Sequence, residues 1–249
     1  MPSPPRILVT THGPEQAARE EPTWQTFARY VAAVERAGGE AVLIDPRASA
    51  AERAAAFAAM DGLLLPGGAD LDPALYGEPP HPATVTEAER DALEAGAWAA
   101  ARDRGLPVLG VCRGMQAINV FSGGALVQHV EDHDSPLHPA PEAHAHPMRI
   151  AAASRLAAIL GMNGGADITI EVNTYHHQAI RSDRLGDGLA VAGTTVDGEQ
   201  VEAFETSDPD AWVFGVQNHP ERPEFTPPEF ARLWLAFVDA ARSGQRRRS

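Results

Sequence analysis

A three-layer α/β domain, with a mostly parallel central sheet and helices on both faces, is predicted by three features of this 249-residue sequence. Short apolar runs alternate with amphipathic stretches, the pattern of βαβ units. The run Leu106–Val111 is nearly all apolar, as a central parallel strand covered on both faces requires. No internal repeat and no linker-like stretch interrupts the chain, so residues 1–249 read as one domain, with 1–5 and 244–249 frayed.

Each element follows from local chemistry. Arg6–Thr10 (RILVT) reads as the first strand. Thr23–Ala37 follows as a helix with Trp24, Phe27, Val31 and Val34 on one face, stopped by Gly38-Gly39. Ala41–Asp45 is a second strand, and Ser49 with Glu52 forms a capping box for a short helix. Gly62–Leu65 is a third strand, ended by Pro66-Gly67-Gly68. Thr86 with Glu89 opens a helix running to about Arg104, and Gly114–Phe121 forms a helix after the central strand. Residues 123–147, with five histidines and several prolines, lack any period and read as a long surface excursion. Ile168–Val172 is strand-like, two β runs flank the hairpin signal Asp197-Gly198, and Ala211–Gln217 is a buried strand. Thr226, Pro227 and Glu229 start a last helix with Phe230, Leu233, Trp234, Phe237 and Val238 on one face.

Composition removes several functions. Hydrophobic residues are 44% and charged residues 22%, enough for a core and against disorder. The net charge of −14 repels phosphate backbones, so no nucleic-acid partner is expected. All 20 basic side chains are arginine, which excludes Schiff-base lysines and the P-loop lysine. The single cysteine, Cys112, precludes an intramolecular disulfide. The N-terminus lacks a signal-peptide pattern and no apolar run approaches the roughly 18 residues of a membrane span. A cytoplasmic protein without a membrane partner is the expectation.

The sharpest chemical feature is Gly110-Val111-Cys112-Arg113-Gly114, where an apolar strand runs into a cysteine and a helix begins. Small residues on both sides permit the tight turn of a nucleophile elbow, and a helix N-terminus favours thiolate. A buried structural cysteine is the competing reading. His219-Pro220-Glu221 follows another strand; parallel strands present their C-terminal ends along one edge, so His219 can meet Cys112 there, with Glu221 fixing its tautomer. Leu65-Pro66-Gly67-Gly68, also at a strand end, leaves backbone N–H groups open to an anionic oxygen. Taken singly, the last two also fit an ordinary loop and an ordinary turn.

Together these segments resemble a class I glutamine amidotransferase-like domain of flavodoxin-like fold: PGG at 66–68, GVCRGMQ at 110–116, GGAL at 123–126 and GVQNHPE at 215–221. Arg90-Asp91, the NTYHHQ run at 173–178, and Asp197-Gly198 with Val201-Glu202-Ala203 resemble the γ-glutamyl-γ-aminobutyrate hydrolase branch, peptidase C26-like, which acts in polyamine and putrescine breakdown. The resemblance implies Cys112 as nucleophile, His219 as base and acid, Glu221 as its orienter, and backbone N–H groups of Gly68 and Arg113 as the oxyanion hole. It implies a γ-glutamyl pocket lined by Gly67, Gln116, Tyr175, His176, Gln178 and Asn218. It implies a small γ-glutamyl amide as partner, no cofactor or metal, and a homodimer. The family's usual aromatic residue before His-Pro-Glu is Asn218 here, which leaves the leaving amine open.

Two other functions fit the same residues: a glutaminase subunit feeding ammonia to a separate synthase, and a non-catalytic binding relative. His129, His133, His138, His144 and His146 match no common zinc spacing and suggest a lid over the site. His12 reads as a solvated loop residue, Trp24, Trp98 and Trp234 as core, and Arg246–Arg248 as a solvated tail.

Overall fold

In the computed structural model, residues 3–13, 23–130, 144–162 and 164–248 are described. The parallel strands show why both faces of the sheet are covered. In β1 (Arg6–Thr10), Ile7 and Val9 enter one core while Leu8 enters the other. The same alternation runs through β3 (Gly62–Leu65), β4 (Val108–Val111) and β9 (Val213–Val216), where Leu64, Leu109, Val111, Phe214 and Val216 face the first core. That core is closed by α1 (Thr23–Arg36), α5 (Arg155–Leu160) and α6 (Ala231–Arg248). The opposite core is closed by α2 (Ala50–Ala59), α3 (Ala88–Asp103) and α4 (Arg113–Phe121).

The described residues build one sheet of nine strands, ordered β2-β1-β3-β4-β9-β8-β7-β5-β6. Here β2 is Glu40–Ile44, β5 His144–Ile150, β6 Ile168–Thr174, β7 Leu189–Thr195 and β8 Val201–Thr206. Pairings from β2 to β9 are parallel; those from β9 through β6 are antiparallel. The expected three-layer architecture and flavodoxin-like core hold. No helix among the described residues is long and apolar enough to cross a membrane.

Several expectations are borne out locally. Ser49 and Glu52 form the reciprocal capping box, and Gly198, at φ 79°, turns the β7–β8 hairpin. Trp98 and Trp234 are buried; the Trp24 side chain lies outside the described residues.

Others are corrected. Helix α3 starts at Ala88 after an uncapped Glu87, because the Glu87 carboxylate accepts the Gly13 N–H and Thr86 bridges to Asp70 instead. His12 is half-buried with its ring edge against Phe27, not solvated. Residues 123–147 are not all excursion, since β5 begins at His144; His133 and His138 lie outside the described residues. The tail is not frayed from 244: α6 continues to Arg248, with Gly244 buried and Gln245 Nε2 reaching Asp61 Oδ2 at 3.3 Å.

Candidate active site

Pairing with β9 continues one residue past the end of β4, the Cys112 N–H donating to the Val216 carbonyl at 2.8 Å. The chain then turns sharply into α4. Cys112 adopts φ 52°, ψ −111°, and it is the one non-glycine residue with positive φ among those described. Such a conformation costs about 1–3 kcal/mol and persists only where its surroundings impose it. They do so by close approach: a Cβ on Gly114 would stand 1.8 Å from the Leu65 carbonyl oxygen, and one on Gly110 2.5 Å from the Gly114 carbonyl oxygen. The elbow read from the sequence is present, and Cys112 is buried at the N-terminus of α4.

Strand β9, the neighbour of β4, delivers His219 to the same edge. His219 Nδ1 donates to Glu221 Oε1 at 2.7 Å. Its main chain is clamped by Asn173, whose Oδ1 accepts the His219 N–H at 2.7 Å and whose Nδ2 donates to the His219 carbonyl at 3.1 Å. Burial lowers the affinity of the imidazole for a proton. The Glu221 carboxylate hydrogen-bonded to Nδ1, together with the nearby Cys112, outweighs burial and pushes the His219 pKa up to about 10. The imidazolium is therefore the form held between Cys112 and Glu221 at neutral pH.

The Pro66-Gly67-Gly68 turn completes the edge. A Cβ on Gly67 would lie 2.9 Å from His219 Cε1 and 3.7 Å from the Cys112 Cβ, so this glycine keeps the space between them open. Both of its backbone polar groups are engaged: the N–H donates to Tyr30 Oη at 3.1 Å, and the carbonyl accepts from Arg90 Nη2 at 3.0 Å. At Gly68 a Cβ would stand 2.0 Å from Arg90 Nη1, so no side chain fits.

Beneath the turn lies a buried ion network the sequence reading did not resolve. Arg90 Nη2 also holds the Pro66 carbonyl at 3.0 Å, and its Nε donates to Glu94 Oε1 at 2.8 Å. The Arg113 guanidinium bridges Asp91 and Glu94. Burial pushes the Glu94 carboxyl up, but Arg113 and Arg90 outweigh it and hold it below the usual carboxylate range. The Arg90-Asp91 pair was visible as a motif; its work, fixing the turn from below, was not.

Tyr30, fully buried on α1, was missed altogether. Its Oη lies 3.4 Å from His219 Nδ1, within reach of the Glu221 charge. Burial and the Glu221 charge hold its pKa well above the usual phenol value, so it remains a donor.

The remaining candidates separate. The Tyr175 ring stands edge-on to His219 at 5.3 Å, under the Arg222 guanidinium. Gln116 is a bridge, its Nε2 donating to the Gln178 carbonyl and to Gln217 Oε1, both at 3.1 Å. Gln178 Nε2 reaches the Gln128 carbonyl at 3.3 Å. His176 is buried and turned toward Glu202 rather than held at the elbow. Asn218 is buried, and its side-chain amide has no hydrogen-bond partner among the described residues.

Comparison with known proteins agrees with this geometry. The Peptidase C26 family model matches residues 7–221. The Mycobacterium tuberculosis protein named "Putative glutamine amidotransferase Rv2859c" is 40% identical over 219 residues, 86% of this chain and 67% of that one. The γ-glutamyl-γ-aminobutyrate hydrolase of Escherichia coli O157:H7 is 30% identical over 173 residues, 65% of this chain and 64% of that one. In fold, the glutaminase domain of Trypanosoma brucei CTPS superposes with a TM-score of 0.64 at 19% identity, covering 96% of this chain and 94% of that one. On the match to its family model and the 40%-identical relative, the chain belongs to the peptidase C26 family, class I glutamine amidotransferase-like proteins.

Proposed function

We propose that this protein hydrolyses a γ-glutamyl amide through a thioester at Cys112. The observation that carries the reading is a cysteine on a strained elbow beside a charged His219–Glu221 pair. The Cys112 sulfur attacks the γ-carbonyl carbon, and the carbonyl oxygen, now anionic, takes hydrogen bonds from the Gly68 and Arg113 backbone N–H groups. Donors placed this way are worth about 10²–10³ in rate each. Protonated His219 gives its proton to the leaving nitrogen, the C–N bond breaks, and the amine departs. His219, now neutral, takes a proton from water, whose oxygen attacks the thioester; glutamate leaves and the thiolate–imidazolium pair returns.

Tyr175, His176, Gln178 and Asn218 are read as the walls of the glutamyl pocket. The unpartnered amide of Asn218 supports this, since a buried polar group without a partner is kept for a ligand, a water or strain. A glutaminase subunit delivering ammonia is a second reading, favoured by the naming of the 40%-identical relative as an amidotransferase.

The test is a panel of γ-glutamyl amides plus free glutamine, scoring released glutamate, with Cys112→Ala alongside. Cleavage of one or a few amides, abolished in the variant, supports the hydrolase. Turnover of glutamine alone, raised by an added synthase, supports the second reading. Undiminished cleavage by Cys112→Ala overturns both.

A further inference from the structure

Three potential metal ligands converge one strand away from the candidate triad. His146 on β5, His176 just after β6, and Glu202 on β8 bring one nitrogen or oxygen each within 4.8 Å of one another. His146 Nε2 is 3.5 Å from Glu202 Oε2, and His176 Nε2 is 4.0 Å from Glu202 Oε1. The His176 and Glu202 side chains are 2% and 1% exposed, and His146 is 16% exposed, so the cluster is shielded but has an approach from one side.

The tautomers sharpen the argument. His176 Nδ1 lies 2.9 Å from the Gln178 carbonyl, and His146 Nδ1 lies 3.3 Å from the Pro147 carbonyl. A carbonyl oxygen only accepts, so in each neutral ring the proton sits on Nδ1 and the lone pair on Nε2. Two imidazole lone pairs and a buried carboxylate then face one another. An imidazole that donates its far N–H to a backbone carbonyl is also the usual arrangement of a metal-bound histidine.

We propose that His146, His176 and Glu202 form a binding site for a divalent transition metal, zinc fitting best. Two imidazole nitrogens and one carboxylate oxygen suit Zn²⁺ at about 2.0–2.2 Å. Ligands at that distance in a tetrahedron are roughly 3.3 Å apart. The two histidines now approach different oxygens of Glu202, at 3.5 and 4.0 Å, and the three ligand atoms lie within 4.8 Å, so the cluster has to contract around a single carboxylate oxygen as the ion enters. Three protein ligands leave a fourth position for water or a small anion. The Glu202 carbonyl accepts the Gln217 N–H at 2.9 Å, which ties the site to β9 just ahead of His219. The proposal stands whether or not the protein is a hydrolase.

The experiment strips the full chain with a chelator and titrates Zn²⁺, counting bound metal after equilibrium dialysis. Cys112→Ala is the background, because a reactive thiol binds zinc by itself. One zinc per chain is expected. His146→Ala and Glu202→Gln should each weaken binding by more than the ~10- to 100-fold that loss of an outer-shell partner costs. Co²⁺ is the spectroscopic probe: tetrahedral visible bands without a thiolate charge-transfer band are expected in the otherwise native chain. No bound metal in the Cys112→Ala background, or unchanged affinity in a folded His146→Ala, overturns the proposal. Should Glu202→Gln fail to fold, His146→Ala, on the more exposed ligand, decides.

Discussion

Replacing Tyr30 by Phe tests how the candidate site is held together. The substitution keeps the ring in a site with no exposed surface and removes one oxygen. That oxygen accepts the Gly67 N–H at 3.1 Å and lies 3.4 Å from His219 Nδ1. Without it, a buried N–H loses its partner, a cost of about 1–3 kcal/mol. For a chain of this size each kcal/mol lowers Tm by about 2–4 °C, so a fall of roughly 2–12 °C is expected. The kinetic effect has a different origin. Gly67 stays tied to Arg90 through its carbonyl but is released at its N–H, so the Gly68 N–H next to it loses its fixed position. Loss of one oxyanion donor sets the ceiling, about 10²–10³ in kcat, with KM little changed. The assay pairs a thermal melt with kcat and KM on the best amide of the panel. Wild-type Tm together with wild-type kcat would refute the reasoning, because the oxygen would then be holding nothing.

Three further outcomes follow from the same geometry. Arg90→Met leaves Glu94 paired only to Arg113 and Thr10 and frees two carbonyls of the turn; breaking a buried pair costs about 3–5 kcal/mol, read as a lower urea midpoint. His219 carries a pKa raised from 6.5 to about 10, so the stability from its charged form is complete below pH 6.5 and is lost as pH rises through 10. The kcat/KM profile should fall on the alkaline side as the proton for the leaving amine is lost, and Glu221→Gln, removing the largest charge that raises this pKa, should move that limb to lower pH. Asn218→Ala should raise KM for the preferred amide more than it lowers kcat, measured across the panel, with little change in Tm because its amide has no protein partner among the described residues.

The parallel half of the fold was legible because its inner strands are buried on both faces and write continuous apolar runs, as GLLL and PVLGV do. Strand β5 was not legible. Its sequence, HAHPMRI, contains a proline, and only Met148 and Ile150 are buried, so the period is swamped by polar residues. Helix α5, six residues long, is too short to show a period. The elbow, the His-Pro-Glu segment and the glycine turn were readable because each depends on neighbours in the chain. Tyr30 was not, since its partners lie 37 and 189 residues away and nothing local marks its hydroxyl as engaged. The His146–His176–Glu202 cluster was hidden likewise: histidine spacing in the sequence pointed to 129–146, whereas the convergence joins β5, β8 and the segment after β6.

The change of strand direction at β9 gives the sheet two separable territories. Cys112, His219, Glu221 and the 66–68 turn all stand at the ends of parallel strands. The antiparallel strands β8, β7, β5 and β6 come from one uninterrupted stretch, residues 144–206, which returns to the parallel part only at β9. Tyr175, His176, Gln178 and Glu202 all belong to that stretch. On the proposed assignment, most recognition groups lie in a block of the sequence apart from Cys112, His219 and Glu221, with Asn218 the exception. A descendant that rebuilt the 144–206 block would change most of the proposed pocket at once and keep the His219 main chain in place only if it retained Asn173.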